Sequence, residues 1–301
     1  MNLEPAPDSV SAVPRLAVLV VVGCLAVLPA CGSRSTAGSE GAPAPTDLAG
    51  EAVAALLQEE SAHYVIEARA DFEGEAPLGG PFGFEIEGDA SLEAFTGEGS
   101  VTFAGGTFEG ALIAGPHEFF VQLMGRWYGT TEFGLADARK ELEASDDEAA
   151  ELSRDLQTGD GVRKYFDRVF IGEVSEGPEL GGQPTWQFEG TLNVDGIWAL
   201  AEELGEAPAE DRAVLEAIAG GTRFSFVVGR DDRLPRTLEL TVDLAREDFE
   251  NLDADDFGDA ESLSFLLNVE LSAFGEPVDY EAPEDFQPLD EAFESFFGGL
   301  G

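Results

Sequence analysis

From Tyr64 to Leu271 the chain repeatedly alternates apolar and polar positions with a period of two. Tyr64, Ile66, Ala68, Ala70 and Phe72 alternate with Val65, Glu67, Arg69 and Asp71. Phe82, Phe84, Ile86, Gly88, Ala90 and Leu92 alternate with Gly83, Glu85, Glu87, Asp89 and Ser91. Val101 and Phe103 resume the pattern, Phe108 and Leu112 continue it less regularly, and Phe119, Val121 and Leu123 lead to Trp127 and Tyr128. The second half repeats it at Trp186–Val194, Phe224–Val228, Leu238–Leu244 and Leu263–Leu271. Such alternation marks strands with one buried and one wet face. Short turns containing glycine imply antiparallel neighbours. The pattern predicts one large, curved antiparallel sheet rather than parallel βαβ units.

Other segments have the spacing of helices. Thr46 or Asp47 is placed to cap a helix from Leu48 to about Ser61, with Val53, Leu56 and Leu57 on its apolar side. Leu135 to about Leu156, Gly161–Phe170, Ile197–Leu204 and Glu210–Ala219 also read as helical, the last two separated by Gly205–Pro208. Helices lying on one face of an antiparallel sheet make an α+β domain. Nothing in the composition requires a second domain.

Ahead of the strands lies an apolar run, Leu16–Leu28, then Pro29-Ala30-Cys31-Gly32-Ser33. The run is short of the ~20 residues that span a bilayer and suits the core of a cleaved export signal, about 7–15 residues. Residues 1–30 therefore read as a signal peptide and Cys31 as the residue after the cut. Gly32–Thr46, rich in Gly, Ser, Ala and Pro, reads as a flexible tether reaching roughly 20 Å. The expected organisation is signal 1–30, lipidated cysteine and tether 31–46, one domain 47–290, and a tail 291–301.

Charge and composition narrow the chemistry. With 61 acidic against 16 basic residues the net charge is −45, which opposes nucleic acid binding and suits a highly solvated, salt-screened surface. Twenty-two phenylalanines exclude global disorder. Cys24 lies in the signal, so Cys31 has no partner for an internal disulfide in the processed chain. His63 and His117 are the only histidines, so neither a cysteine-based nor a multi-histidine metal centre is expected. Asp253–Gly258 has the look of a calcium loop but places Phe257 where an oxygen ligand belongs, and reads as a solvated acidic loop. No Gly-x-Ser-x-Gly occurs, and nothing brings Ser, His and Asp together. No catalytic residue and no cofactor are expected.

Leu28-Pro29-Ala30-Cys31 resembles the lipobox of prokaryotic lipoproteins, in which the cysteine is acylated. Further on, Leu180–Thr185 leads into Trp186–Asp195, Gly125-Arg126-Trp127-Tyr128 ends a strand with a Trp, and Pro277–Pro283 falls where a closing strand belongs. Taken in order, these stretches resemble the LppX/LprG-type envelope lipoproteins, which share a fold with the LolA and LolB carriers. The acidic stretches Glu141–Glu151 and Asp248–Asp259 depart from that pattern. The resemblance implies a LolA-like half-barrel wrapped on helices, with an apolar cavity between them that holds an acyl lipid or glycolipid. It also implies export, a lipid anchor in the membrane facing the cell exterior or a periplasm-like space, and an envelope transporter as partner.

On that reading the cavity candidates are Ile66, Phe84, Ile86, Phe103, Phe119, Val121, Trp186, Phe188, Phe226, Leu238, Leu240, Phe265 and Leu267. Each can equally be ordinary core. Arg163, Lys164 and Arg168 are the head-group candidates, against the plainer role of neutralising an acidic surface. A second basic group, Arg223, Arg230, Arg233 and Arg236, flanks an expected hairpin turn. The alternative to a lipid carrier is a non-catalytic scaffold or chaperone-like partner of an envelope complex. It would have a filled core and an exposed apolar patch.

Overall fold

Among the described residues, eleven antiparallel strands and one short parallel strand build an open, curved sheet in the computed structural model. The structure describes residues 41–75, 81–103, 105–144, 154–203, 211–249 and 259–289. Outside them lie Cys31 and most of the expected tether, residues 145–151 of the acidic stretch, the 204–208 break, the loop 253–258 and the tail 291–301.

The first meander is β1 (Ser61–Glu75), β2 (Phe82–Ser91), β3 (Phe95–Phe103), β4 (Gly106–Ala114), β5 (Phe119–Leu123) and β6 (Arg126–Thr130). The second is β7 (Phe170–Glu176), β8 (Thr185–Leu192), β9 (Thr222–Gly229), β10 (Pro235–Ala245) and β11 (Asp259–Ser272). The two join where β1 pairs with β11, Ile66 opposite Val269 and Ala68 opposite Leu267. The strand β12 (Gln287–Pro288) adds to β6 in parallel, at the edge opposite β7.

Among the described residues the helices are α1 (Pro45–Glu59), α2 (Leu135–Ala144), α3 (Gly159–Val169), α4 (Val194–Glu203), α5 (Asp211–Gly221) and the short α6 (Arg246–Phe249). The expected Thr46 or Asp47 cap is corrected. The helix starts at Pro45 after Ala44, which makes no side-chain cap. A proline fits the first helical turn because its missing N–H has no partner there anyway. In α3 the Thr158 hydroxyl accepts from the Gly161 N–H at 2.9 Å and caps the helix. The helices α1 and α3 cross closely at glycines. A Cβ on Gly50 would lie 2.6 Å from the Gly159 carbonyl oxygen, and one on Gly159 would lie 2.5 Å from that of Gly50.

The expected closing strand at Pro277–Pro283 is also corrected, because this segment pairs with no strand. Its prolines lack the N–H a ladder needs. Instead the chain leaves β11 as a strap. The Gly275 N–H bonds the Ser61 carbonyl, and the Ser61 hydroxyl donates to the Glu276 carbonyl at 2.6 Å. Tyr280 then reaches the β4–β5 turn at Gly115 and Glu118. Phe286 sits edge-on to Phe120, centroids 5.0 Å apart, before β12.

Candidate functional site

Register places the apolar positions of eleven strands on one face. From β7 inward, Val174 is opposite Phe188, Phe188 opposite Phe226, Phe226 opposite Leu238, and Leu238 opposite Val269. Beyond β1 the row continues, with Ile66 opposite Ile86, Ala68 opposite Phe84, Phe84 opposite Val101 and Val101 opposite Phe108. On β5 and β6, Leu112 is opposite Val121, and Val121 opposite Tyr128. All thirteen cavity candidates thus share one face. The opposite face carries Glu85, Glu87, Glu98 and Glu109, which line an open polar groove of about 490 Å3.

Among the described residues, the helices cover only part of the apolar face. Leu48, Ala49 and Ala52 of α1, Phe166 and Val169 of α3, Ile197 and Ala201 of α4 and Leu215 of α5 pack with Phe170, Phe188, Phe224, Phe226 and Val228 into one core. Phe188 is wholly buried and meets Phe166 edge-on at 5.1 Å and Phe226 stacked at 5.3 Å. Phe188 and Phe226 are therefore core beneath the helices, enclosed by other rings. Trp186, Leu238 and Leu240 pack against the same core. The Arg230 guanidinium lies 3.9 Å from the Trp186 ring centroid and pairs with Glu176.

Past β11 the face is less covered. Ile66, Phe84, Phe265, Leu238, Leu240 and Leu271 stay partly buried around Ala68, Leu267 and Val269. Phe119 and Val121 on β5 and Ile86 on β2 are half-buried. Burial falls along the strands. At the strap end Ala62, Tyr64, Ala90, Ala114 and Tyr128 are almost fully buried. At the other end Val101 and Phe103 are 42% exposed, Phe108 47% and Met124 65%. Of these four, the sequence pattern singled out only Phe103 as a site candidate. The available signal was Gly99–Phe108, a run without a charged residue in a chain of net charge −45.

Each head-group candidate is held by a carboxylate of the chain itself. Arg163 bonds Asp160 at 2.6 Å and approaches Asp47 at 3.8 Å. Lys164 donates to Asp155 at 2.7 Å, and Arg168 grips both Glu203 oxygens at 2.9 Å. The Lys164 bond, with a second from the Tyr165 hydroxyl, holds the Asp155 carboxyl below the usual aspartate range. In the second basic group, Arg230 pairs with Glu176, Arg233 lies 3.2 Å from Glu51 and Arg236 sits on Asp232. His63 lies between Asp89 (2.9 Å) and Glu87 (3.2 Å) on the polar face, and His117 bonds Asp137 at 3.0 Å. Among the described residues, no helix is long and apolar enough to cross a membrane.

These features define an α+β protein with a one-sided apolar sheet, partly covered by helices. No family model matches the chain, and no curated protein matches it. Among solved structures it is similar to LprF from Mycobacterium bovis, at 12% identity over 81% of this chain and 99% of that one, with a TM-score of 0.37. It is also similar to a LolA superfamily protein from Nitrosomonas europaea, at 9% identity over 81% of this chain and 96% of that one, with a TM-score of 0.23. At these scores neither likeness bears on function, which the chain's own geometry must carry.

Proposed function

We propose that this chain is an exported lipoprotein that binds an acyl lipid or glycolipid on the apolar face of its sheet and hands it on across an aqueous layer. One observation carries the reading. The apolar face runs across both meanders, yet among the described residues the α1, α3, α4 and α5 core covers only its β7–β10 half, and large apolar side chains stay half-exposed on β2–β5. Each methylene moved from water onto such a surface gains roughly 0.8 kcal/mol, so acyl chains supply enough affinity without any catalytic group. On this reading Ile66, Phe84, Ile86, Phe103, Phe119, Val121, Phe265 and Leu267 contact the acyl chains. Residues 47–290 act as one lipid-binding domain, tethered through 31–46 to an acylated Cys31, and an envelope transporter supplies or receives the lipid.

The test is mass spectrometry of solvent extracts from protein purified without denaturant from a native-like host. A stoichiometric, chemically defined lipid supports the carrier. Protein that stays empty after incubation with envelope lipids refutes it and favours a non-catalytic scaffold that uses the same half-exposed residues against another protein.

A further inference from the structure

We propose that the adjoining ends of the β3–β4 and β5–β6 hairpins form a rim that docks into the interfacial layer of a lipid bilayer. Four of the large apolar side chains exposed among the described residues gather there: Val101, Phe103, Phe108 and Met124. Val101 and Phe108 are cross-strand partners, and Leu123, just before Met124, pairs with Gly110. With strands about 4.8 Å apart, the three strands β3, β4 and β5 bring these side chains onto one edge of the molecule. Met124 and Gly125 both have positive φ, 50° and 77°. This two-residue turn thrusts the Met124 side chain out at 65% exposure.

Charge selects the occupant. Against the chain's net charge of −45, Gly99–Phe108 has no charged residue; Glu109, which follows it, belongs to the opposite, acidic face, whereas Arg126 on the neighbouring turn pairs with Leu123 of the apolar face and is exposed and cationic. An uncharged apolar tip beside a cation suits acyl chains beneath lipid phosphates. A second copy of the chain fits less well. Four half-exposed side chains fall far short of the ~800 Å2 per partner of a stable protein interface, whereas insertion of a few side chains serves as the second of the two signals that firm membrane attachment requires. Docking by the rim does not depend on a lipid resting on the sheet, although it would hold the open end of the apolar face against the membrane.

The experiment places an indole at the tip. Full-length protein carrying Met124→Trp is added to phosphatidylcholine vesicles with brominated acyl chains, with the unsubstituted protein as the baseline for Trp127, Trp186 and Trp198. The position is exposed, so the substitution leaves packing intact. Phe103→Trp serves as a second reporter. At least twofold quenching of the added emission is expected on vesicles, together with loss of most of it when Phe108→Asp is added. Absence of quenching on vesicles that retain the protein overturns the proposal. So does equal quenching in a vesicle-free complex with one brominated lipid, which would place the tip against bound ligand and leave the carrier reading standing. A blue shift that grows with protein concentration without vesicles also overturns it, in favour of self-association.

Discussion

Tyr64 and Gly97 fit each other across β2. The Tyr64 hydroxyl donates to the Thr96 carbonyl at 2.8 Å, and a Cβ on Gly97 would lie 2.5 Å from that hydroxyl. The ring stacks on Phe95 at 4.9 Å and is almost wholly buried. Three strands are thus pinned at the strap end of the apolar face.

Gly97→Ala is expected to force the ring out of place. Overpacking of this kind costs about 1–3 kcal/mol, read as a drop in the midpoint of urea unfolding. An unchanged midpoint would show that the tyrosine moves aside freely.

Burial, with a smaller push from Asp89, raises the Tyr64 phenol above its usual value. Its stabilising contribution is therefore complete below the unfolded value near 10 and is lost as pH rises toward the folded value. Tyr64→Phe should cost about 0.5–1.5 kcal/mol at pH 7 for the lost hydrogen bond and fall less steeply above pH ~10. Thermal unfolding of both proteins from pH 8 to 11 checks this, and parallel profiles would contradict it.

Two phenylalanines from the same face should behave differently. Phe188→Ala opens the packed core and should cost about 3–5 kcal/mol. Phe103→Ser removes a half-exposed ring and should cost under ~1 kcal/mol, while reducing the amount of lipid recovered with the protein. Unfolding midpoints and extracted lipid, measured on both, separate core from binding surface.

Asp155 gives the acid-side counterpart. The Lys164 bond, then that of Tyr165, lowers its pKa, so its contribution is full above the unfolded value near 4. It fades as pH falls through the depressed folded value. The site is largely open to solvent, which limits Asp155→Asn to a loss below ~1 kcal/mol at pH 7. That difference should shrink as pH falls below the unfolded value near 4, as followed by denaturant titration. A loss that persists unchanged at pH 2 would point to packing instead.

On the polar face like charges stand opposite each other, Glu67 facing Glu85 and Glu87 facing Glu98. Directly opposed like charges destabilise a sheet, and salt shortens their reach from about 10 Å at 0.1 M to 3 Å at 1 M. The melting temperature should rise with sodium chloride, and Glu98→Gln should flatten that rise. A melting temperature indifferent to salt would refute the repulsion.

Much of the sheet was legible because alternation is local. Phe84 and Ile86 had to share a face whatever lay beside them. The Pro277–Pro283 strap was not legible in the same way. Its expected role as a closing strand rested on the family resemblance and its place in the order of elements, and the structure, with prolines where donors were needed, pairs it with nothing. Nor could spacing separate Phe188 from Phe103, since both are alternating phenylalanines in strands. Arg163, Lys164 and Arg168 stood out as a cluster in sequence. Their partners Asp155 and Asp160 lie nearby in sequence, but Asp47 and Glu203 are distant, so those two pairings emerge only on folding.

What the amino-acid order determined alone is the two-faced character of each strand, the helical segments between them and the acidic surface. These follow from backbone periodicity and side-chain chemistry within a few residues. Which half of the apolar face the helices cover was decided by the tertiary structure. Coverage depends on α1 and α3 meeting at Gly50 and Gly159 and coming to rest over β7–β10, contacts between residues far apart in sequence. The same packing left Val101, Phe103, Phe108 and Met124 exposed at the other end of the face, beside the uncharged run Gly99–Phe108.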